Sequence, residues 1–242
     1  MCRLFALASR DALCGEYWFF KSEIPFKDFS ERKINKGPHN SGWGIAWLEG
    51  DDWKVFKQGK KDFRKYDFNK VKETKSKNIL IHLRDASFGD ETTKNAHPFL
   101  YKNYVFEHNG SIDRKNNLSY LNDNFKNEIK SETDSEVYFL LIMQFLEETK
   151  NIIEAISKTL EIVKKYRYTG LNFIMGDSKK IYAYRDFGNQ PGNENYYTLK
   201  YLAVKDSIVI SSDSLSEDNW IPLKKWELLI VENDLKTYTI NL

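Results

Sequence analysis

Cys2-Arg3-Leu4-Phe5-Ala6-Leu7-Ala8 follows Met1 at the start of the chain, and Cys2, Leu4, Ala6 and Ala8 fall on alternate positions. Successive side chains of a strand point to opposite faces, so the stretch predicts a β-strand beginning almost at the first residue. Further strand-like runs follow at 42–48, 53–57, 78–84, 104–108, 171–176, 181–185, 197–204, 207–211, 227–231 and 237–240. Several alternate apolar with polar, as in Lys180-Ile181-Tyr182-Ala183-Tyr184-Arg185, which suits antiparallel sheet with one covered face. Helical spacing is confined to fewer places. Thr133 and Glu136 have the spacing of a capping box, and Val137, Leu140, Leu141, Gln144 and Phe145 continue it as a stripe. A second helix is predicted over 152–165, with Ile152, Ile156, Leu160 and Val163 on one face, and a short third one near 16–20. Two central helices with sheet on either side in sequence predict a layered α+β domain.

The chain has 242 residues, 41% of them hydrophobic and 15% aromatic, enough for a large core and too apolar for global disorder. No repeat or low-complexity linker divides it, so a single domain over 2–242 is expected. Thirty-seven Lys and Arg against 35 Asp and Glu leave a net charge of +2, and lysines between 54 and 77 are interleaved with acids. That balance argues against nucleic acid or an anionic membrane surface as the main partner. No run approaches the ~18 apolar residues of a membrane span, and no secretory signal opens the chain, so a cytoplasmic location is expected. Two cysteines, Cys2 and Cys14, cannot build a disulfide scaffold, and neither cysteine nor histidine spacing suggests a metal site. Trp220 and Trp226 are candidates for an interface or, more commonly, for the core.

Four places could carry chemistry. If Met1 is removed, Cys2 combines a thiol with a free α-amine titrating near ~7.7–8.0, a nucleophile and a base on one residue. By position alone it reads more readily as a small buried residue of the first strand. Asn109-Gly110 ends an apolar run and is a strong turn signal, but an Asn amide beside a Gly N–H can also hold an oxyanion. Arg84 closes the run at 78–84, where its planar fork suits either a carboxylate or a salt bridge at a strand end. Asp134 stands in the first turn of the capped helix, where an acid complements the helix dipole or grips an ammonium group. His97, before Pro98, reads as a hydrogen-bonded loop histidine.

These pieces occur in a telling order: Met1-Cys2-Arg3-Leu4, Ser41-Gly42-Trp43-Gly44-Ile45-Ala46, His82-Leu83-Arg84, Asn95-Ala96-His97-Pro98-Phe99, His108-Asn109-Gly110 and Thr133-Asp134-Ser135-Glu136. Together they resemble the class II glutamine amidotransferases, which are N-terminal-nucleophile hydrolases. The nearest subgroup is the stand-alone, single-domain one that includes γ-glutamyl amidases. The segments Leu171-Asn172-Phe173-Ile174-Met175-Gly176-Asp177 and Ser211-Ser212-Asp213-Ser214-Leu215 extend the likeness over nearly the whole chain.

The resemblance implies a four-layer αββα sandwich, two antiparallel sheets between helix layers. It implies that Cys2 attacks a γ-carboxamide or γ-glutamyl bond to give a thioester, with its own α-amine moving the proton. Asn109 and Gly110 would hold the oxyanion, Arg84 with Ser87 the α-carboxylate, and Asp134 the α-ammonium. The substrate is then a small molecule, glutamine or a γ-glutamyl compound, and no cofactor or metal is called for. Two departures bear on specificity: Asp85 follows Arg84 where many class II enzymes have Trp, and Ser41 replaces an acid before Gly-Trp-Gly. No synthase domain is expected to follow, so one alternative is a glutaminase subunit serving a separate synthase; the changed residues Asp85 and Ser41 leave room for another, a non-catalytic amino-acid sensor.

Overall fold

The computed structural model describes residues 2–30, 39–60, 66–86 and 89–242. Two antiparallel sheets face each other across an apolar layer. The seven-stranded sheet comprises β1 (Arg3–Leu13), β2 (Gly42–Glu49), β3 (Asp52–Gly59), β4 (Ser76–Arg84), β9 (Lys200–Val204), β10 (Ser207–Ser211) and β11 (Ile221–Pro222), in the spatial order β11-β9-β10-β1-β4-β2-β3. The six-stranded sheet comprises β5 (Phe99–Tyr101), β6 (Tyr104–Ile112), β7 (Tyr168–Gly176), β8 (Lys180–Arg185), β12 (Glu227–Glu232) and β13 (Thr237–Asn241), ordered β13-β12-β8-β7-β6-β5.

The first strand sits mid-sheet. It pairs with β10 through Phe5↔Ser211 and Ala8↔Ile208, and with β4 through Arg3↔Leu83 and Leu4↔His82. Its even-numbered side chains, Leu4, Ala6 and Ala8, join Leu80 and Ala46 in the layer between the sheets, where Val105, Ile174, Ala183 and Leu229 meet them. Its odd-numbered ones, Phe5 and Leu7, face the other way, into an aromatic layer with Phe19, Phe26, Phe29 and Trp43. The alternation read at the start of the chain is thus buried on both faces, and Cys2 continues the inter-sheet row just before the strand begins.

The helices of the middle of the chain cover the second sheet. They are α2 (Arg114–Leu118), α3 (Asp123–Lys126), α4 (Asp134–Thr149) and α5 (Ile152–Val163). The expected stripe on α4 is broader in the structure: every residue from Asp134 to Gln144 is buried, because sheet, α5 and the α2–α3 segment surround the helix. Thr133 caps it by accepting from Glu136 N (3.3 Å), but Glu136 reaches back to the amides of Lys130 and Ser131 rather than closing a reciprocal box, since Thr133 N already donates to Ser131 Oγ. The layer over the first sheet is made of short pieces, a single turn at Tyr17–Lys21, another at Phe26–Ser30 and α1 (Asn69–Glu73). The strand expected over 197–204 starts only at Lys200, because Asn193–Tyr196 forms a helical turn (α6) and Tyr197 is turned inward. Trp220 is buried edge-on against Trp18, whereas Trp226 is half exposed. Among the described residues no helix is long and apolar enough to cross a membrane.

Candidate active site

The residues singled out in the sequence stand on four elements: Cys2 just before β1, Arg84 at the end of β4, Asn109 and Gly110 within β6, and Asp134 at the start of α4. Cys2 is partly buried just before β1, with Sγ 3.9 Å from the carbonyl of Asp85. Arg84 ends β4 and is 2% exposed; its Nη1 donates to the carbonyl of Asp90 (2.7 Å). Ser41 N donates to the carbonyl of Arg84 (2.9 Å), tying the start of β2 to this corner. Ser87, expected beside Arg84, lies outside the described residues.

Asn109 faces these groups from the opposite sheet. Val105, Glu107 and Asn109 share the inner face of β6, and Asn109 is fully buried with neither polar atom of its amide hydrogen-bonded. Two contacts hold β6 against the first sheet: Phe5 N donates to Glu107 Oε1 (3.2 Å), and His82 Nε2 donates to the carbonyl of His108 (3.3 Å). Gly110 has φ +146°, and a side chain there would run into the carbonyl of Gly170 on β7, so the close approach of β6 to β7 requires glycine. On the other face of β6, His108 donates from Nε2 to that Gly170 carbonyl (3.1 Å) and accepts at Nδ1 from Ser135 Oγ (2.9 Å). Asp134, at the start of α4, accepts from Ile112 N through Oδ2 (2.7 Å). Cation, anion and amide therefore stand on three different elements, the end of β4, the start of α4 and the inner face of β6.

The family model described as glutamine amidotransferases class-II matches residues 1–207. The chain belongs to this family. It is 30% identical over 172 residues to a putative glutamine amidotransferase of Haemophilus influenzae, a match covering 66% of this chain and 56% of that one. Its fold matches a glutamine aminotransferase class-II domain protein from Silicibacter pomeroyi (TM-score 0.66, 19% identity, 99% of both chains). It also matches the glutamine phosphoribosylpyrophosphate amidotransferase of B. subtilis (TM-score 0.69, 17% identity), covering 99% of this chain but 49% of that one. The two antiparallel sheets with their helices are thus the α+β N-terminal-nucleophile fold of the class II glutamine amidotransferases.

In this chain, burial raises the Cys2 thiol, against the pull of a backbone hydrogen bond from Asp85 and of the Arg84 charge. The Asp85 charge acts on Cys2, opposing the pull of Arg84 on the thiol. Sequence reasoning missed Tyr196 and Tyr197. The Tyr196 ring lies 5.2 Å from the Arg3 guanidinium, and burial pushes its hydroxyl up to about 12, with the Cys2 sulfur adding to the rise. Tyr197 is buried against Gly170 and also feels Cys2. Their only signal was an aromatic doublet before an apolar run. His39 was also missed; burial, then Arg3, lowers it to about 4. Among the described residues no three His, Cys, Asp or Glu side chains are grouped to hold a metal ion.

Glu107 is the least expected member of the corner. It is fully buried, Oε2 has no partner, and burial raises its carboxyl well above the usual range. Between the ordinary carboxylate pKa and its raised folded value, the native state keeps a proton that the unfolded chain has released. Stability therefore falls as pH rises across that window, by at most ~1.4 kcal/mol per pH unit from this group. The buried histidines His82, His97 and His108 are lowered by burial and act below about 6.5, in the opposite sense: acid favours the unfolded chain, which protonates them. Denaturant titrations that start at the ordinary carboxylate pKa of ~4.3 and go upward should thus show wild type losing stability relative to Glu107→Gln, whose neutral amide still accepts from Phe5 N. Parallel pH dependences would show that Glu107 is ionised in the native state.

Proposed function

We propose that this protein is a cysteine amidohydrolase that cleaves the γ-carboxamide of glutamine, or a γ-glutamyl amide, through a thioester on Cys2. The observation that carries the proposal is Asn109: a fully buried amide with no protein partner, on the inner face of β6, which packs toward the sheet that contains β1. A buried polar group left unpaired costs about 1–3 kcal/mol. Such groups are retained where a ligand completes them, and donors held in place toward a developing oxyanion supply much of the rate of acyl transfer.

Removal of Met1 frees the α-amine of Cys2. Burial keeps the thiol protonated, so a base is needed, and an amine titrating near ~8 on the same residue is suited to take the proton. Sγ adds to the amide carbon, and the oxyanion is held by Asn109 Nδ2 and Gly110 N–H. Collapse expels ammonia or an amine, which leaves with the proton from the α-amine. Water then attacks the thioester by the reverse proton path, releasing glutamate. Arg84 binds the α-carboxylate, with Ser87 assisting, and Asp134 binds the α-ammonium; an amino acid presents one group of each sign, so the site needs both.

A second reading is a glutaminase subunit that passes ammonia to a separate synthase. Its motive is that the same fold occupies about half of the longer B. subtilis enzyme. Glutamate release from glutamine and from a panel of γ-glutamyl amides, by purified protein whose N-terminal residue has been sequenced, tests the first reading. Failure on every substrate by protein that starts at Cys2 overturns it. Release that rises only when a partner protein is added supports the second.

A further inference from the structure

The Asn95-Ala96-His97-Pro98 segment takes no part in the chemistry above, yet Asn95 is fully buried and its amide is completely used. Nδ2 donates to the carbonyl of Asp90 (3.1 Å) and to its Oδ1 (3.0 Å), while Oδ1 accepts from the backbone amide of Glu132 (3.0 Å). The Asp90 carbonyl is the same atom that receives Arg84 Nη1 at 2.7 Å. Glu132 directly precedes Thr133, the N-cap of α4, and Asp134 is the first residue of that helix. One amide therefore joins the loop that holds the guanidinium to the helix start that holds the carboxylate. The Asp90 carboxylate also accepts from Thr92 N and Thr92 Oγ1 (2.6 Å), which ties it to the turn that follows. A surface ion pair, Lys94 with Glu132 (2.7 Å), spans the same two segments, but both its side chains are about half exposed, and such pairs contribute little.

We infer that Asn95 is a positioning residue that sets the separation of Arg84 and Asp134, and with it selectivity for a substrate carrying both an α-carboxylate and an α-ammonium. The inference rests on the roles proposed above for Arg84 and Asp134. A clamp on two charges gains from both together only while their spacing is held, and displacement of a positioning group by about 1 Å can cost ~10²-fold. Asn95→Leu keeps nearly the same volume and removes all three hydrogen bonds.

The test compares three substrates: glutamine, glutaramate (no α-amine) and 4-aminobutanamide (no α-carboxylate). With wild type, glutamine is expected to be strongly preferred. With Asn95→Leu, kcat/KM for glutamine should fall on the order of 10²-fold, mainly through KM, while the two truncated substrates lose only a few-fold. Alkylation of Cys2 by iodoacetamide should keep its wild-type rate, and Lys94→Ala should leave all three substrates unchanged. An equal loss on all three substrates, or no loss, overturns the inference while leaving the amidohydrolase reading intact. A wild-type enzyme that does not prefer glutamine overturns the assigned charge clamp, and this inference with it. Should Asn95→Leu melt far below wild type, Asn95→Ser, which removes the link with a smaller change of surface, carries the same comparison.

Discussion

Cys2→Ala is expected to lower glutamate release from glutamine to the uncatalysed background, a fall on the order of 10⁵–10⁶-fold in kcat, as for loss of a covalent nucleophile elsewhere. The fold should survive. Cys2 is only partly buried, precedes β1 rather than lying in it, and its sulfur makes one long contact to the Asp85 carbonyl. Loss of that sulfur should cost at most about 1 kcal/mol in denaturant titration. A companion form with an uncleaved residue ahead of Cys2 keeps the thiol and removes the amine. It should be nearly as inactive, because the Cys2 nitrogen is then a peptide amide and cannot take the thiol proton. Intact-mass analysis with glutamine-like electrophiles reads the same point: a stoichiometric adduct on wild type and none on Cys2→Ala. Wild-type turnover by Cys2→Ala would remove Cys2 from the mechanism altogether.

Asn109→Ala should lower kcat by about 10²–10³-fold with little change in KM, the loss typical of one oxyanion donor. Its effect on stability separates a catalytic amide from a structural one. A buried, hydrogen-bonded Asn costs about 1–3 kcal/mol to truncate, because its partners are orphaned. Asn109 has no partners to orphan, so truncation should leave the unfolding free energy within about 1 kcal/mol of wild type. By contrast Asn172, which faces Asn109 across the β6–β7 ladder, donates to the carbonyls of Tyr197 and Thr198 and accepts from Asp186 N. Asn172→Ala is the control that should lose stability. If Asn109→Ala unfolds easily and turns over normally, the amide is structural and the oxyanion assignment falls.

Much of this was legible in the chain because it is written locally. The alternation from Cys2 to Ala8 marks a strand whatever the strand pairs with, and Thr133 caps a helix through atoms within its own turn. Asn109-Gly110 is the instructive failure of local reasoning. As a dipeptide it signals a hairpin, but in the structure both residues lie inside β6, and Gly110 serves the approach to Gly170 rather than a turn. The order of the motifs, not any one of them, pointed to the oxyanion alternative. Tyr196, Tyr197 and His39 carried no such order, so nothing local marked them.

The sequence by itself determined the long strands and the two central helices, the family, and the residue types an amino-acid amidase needs. It did so because side-chain periodicity and capping act over a few residues. Only the tertiary structure decided that β1 lies between β4 and β10, that Glu107 bridges to Phe5, and that Asn95 links the Arg84 loop to the start of α4. Those contacts join segments far apart in the chain. They depend on which sheet faces pack together and on which buried polar atoms then find partners, and no local pattern encodes either.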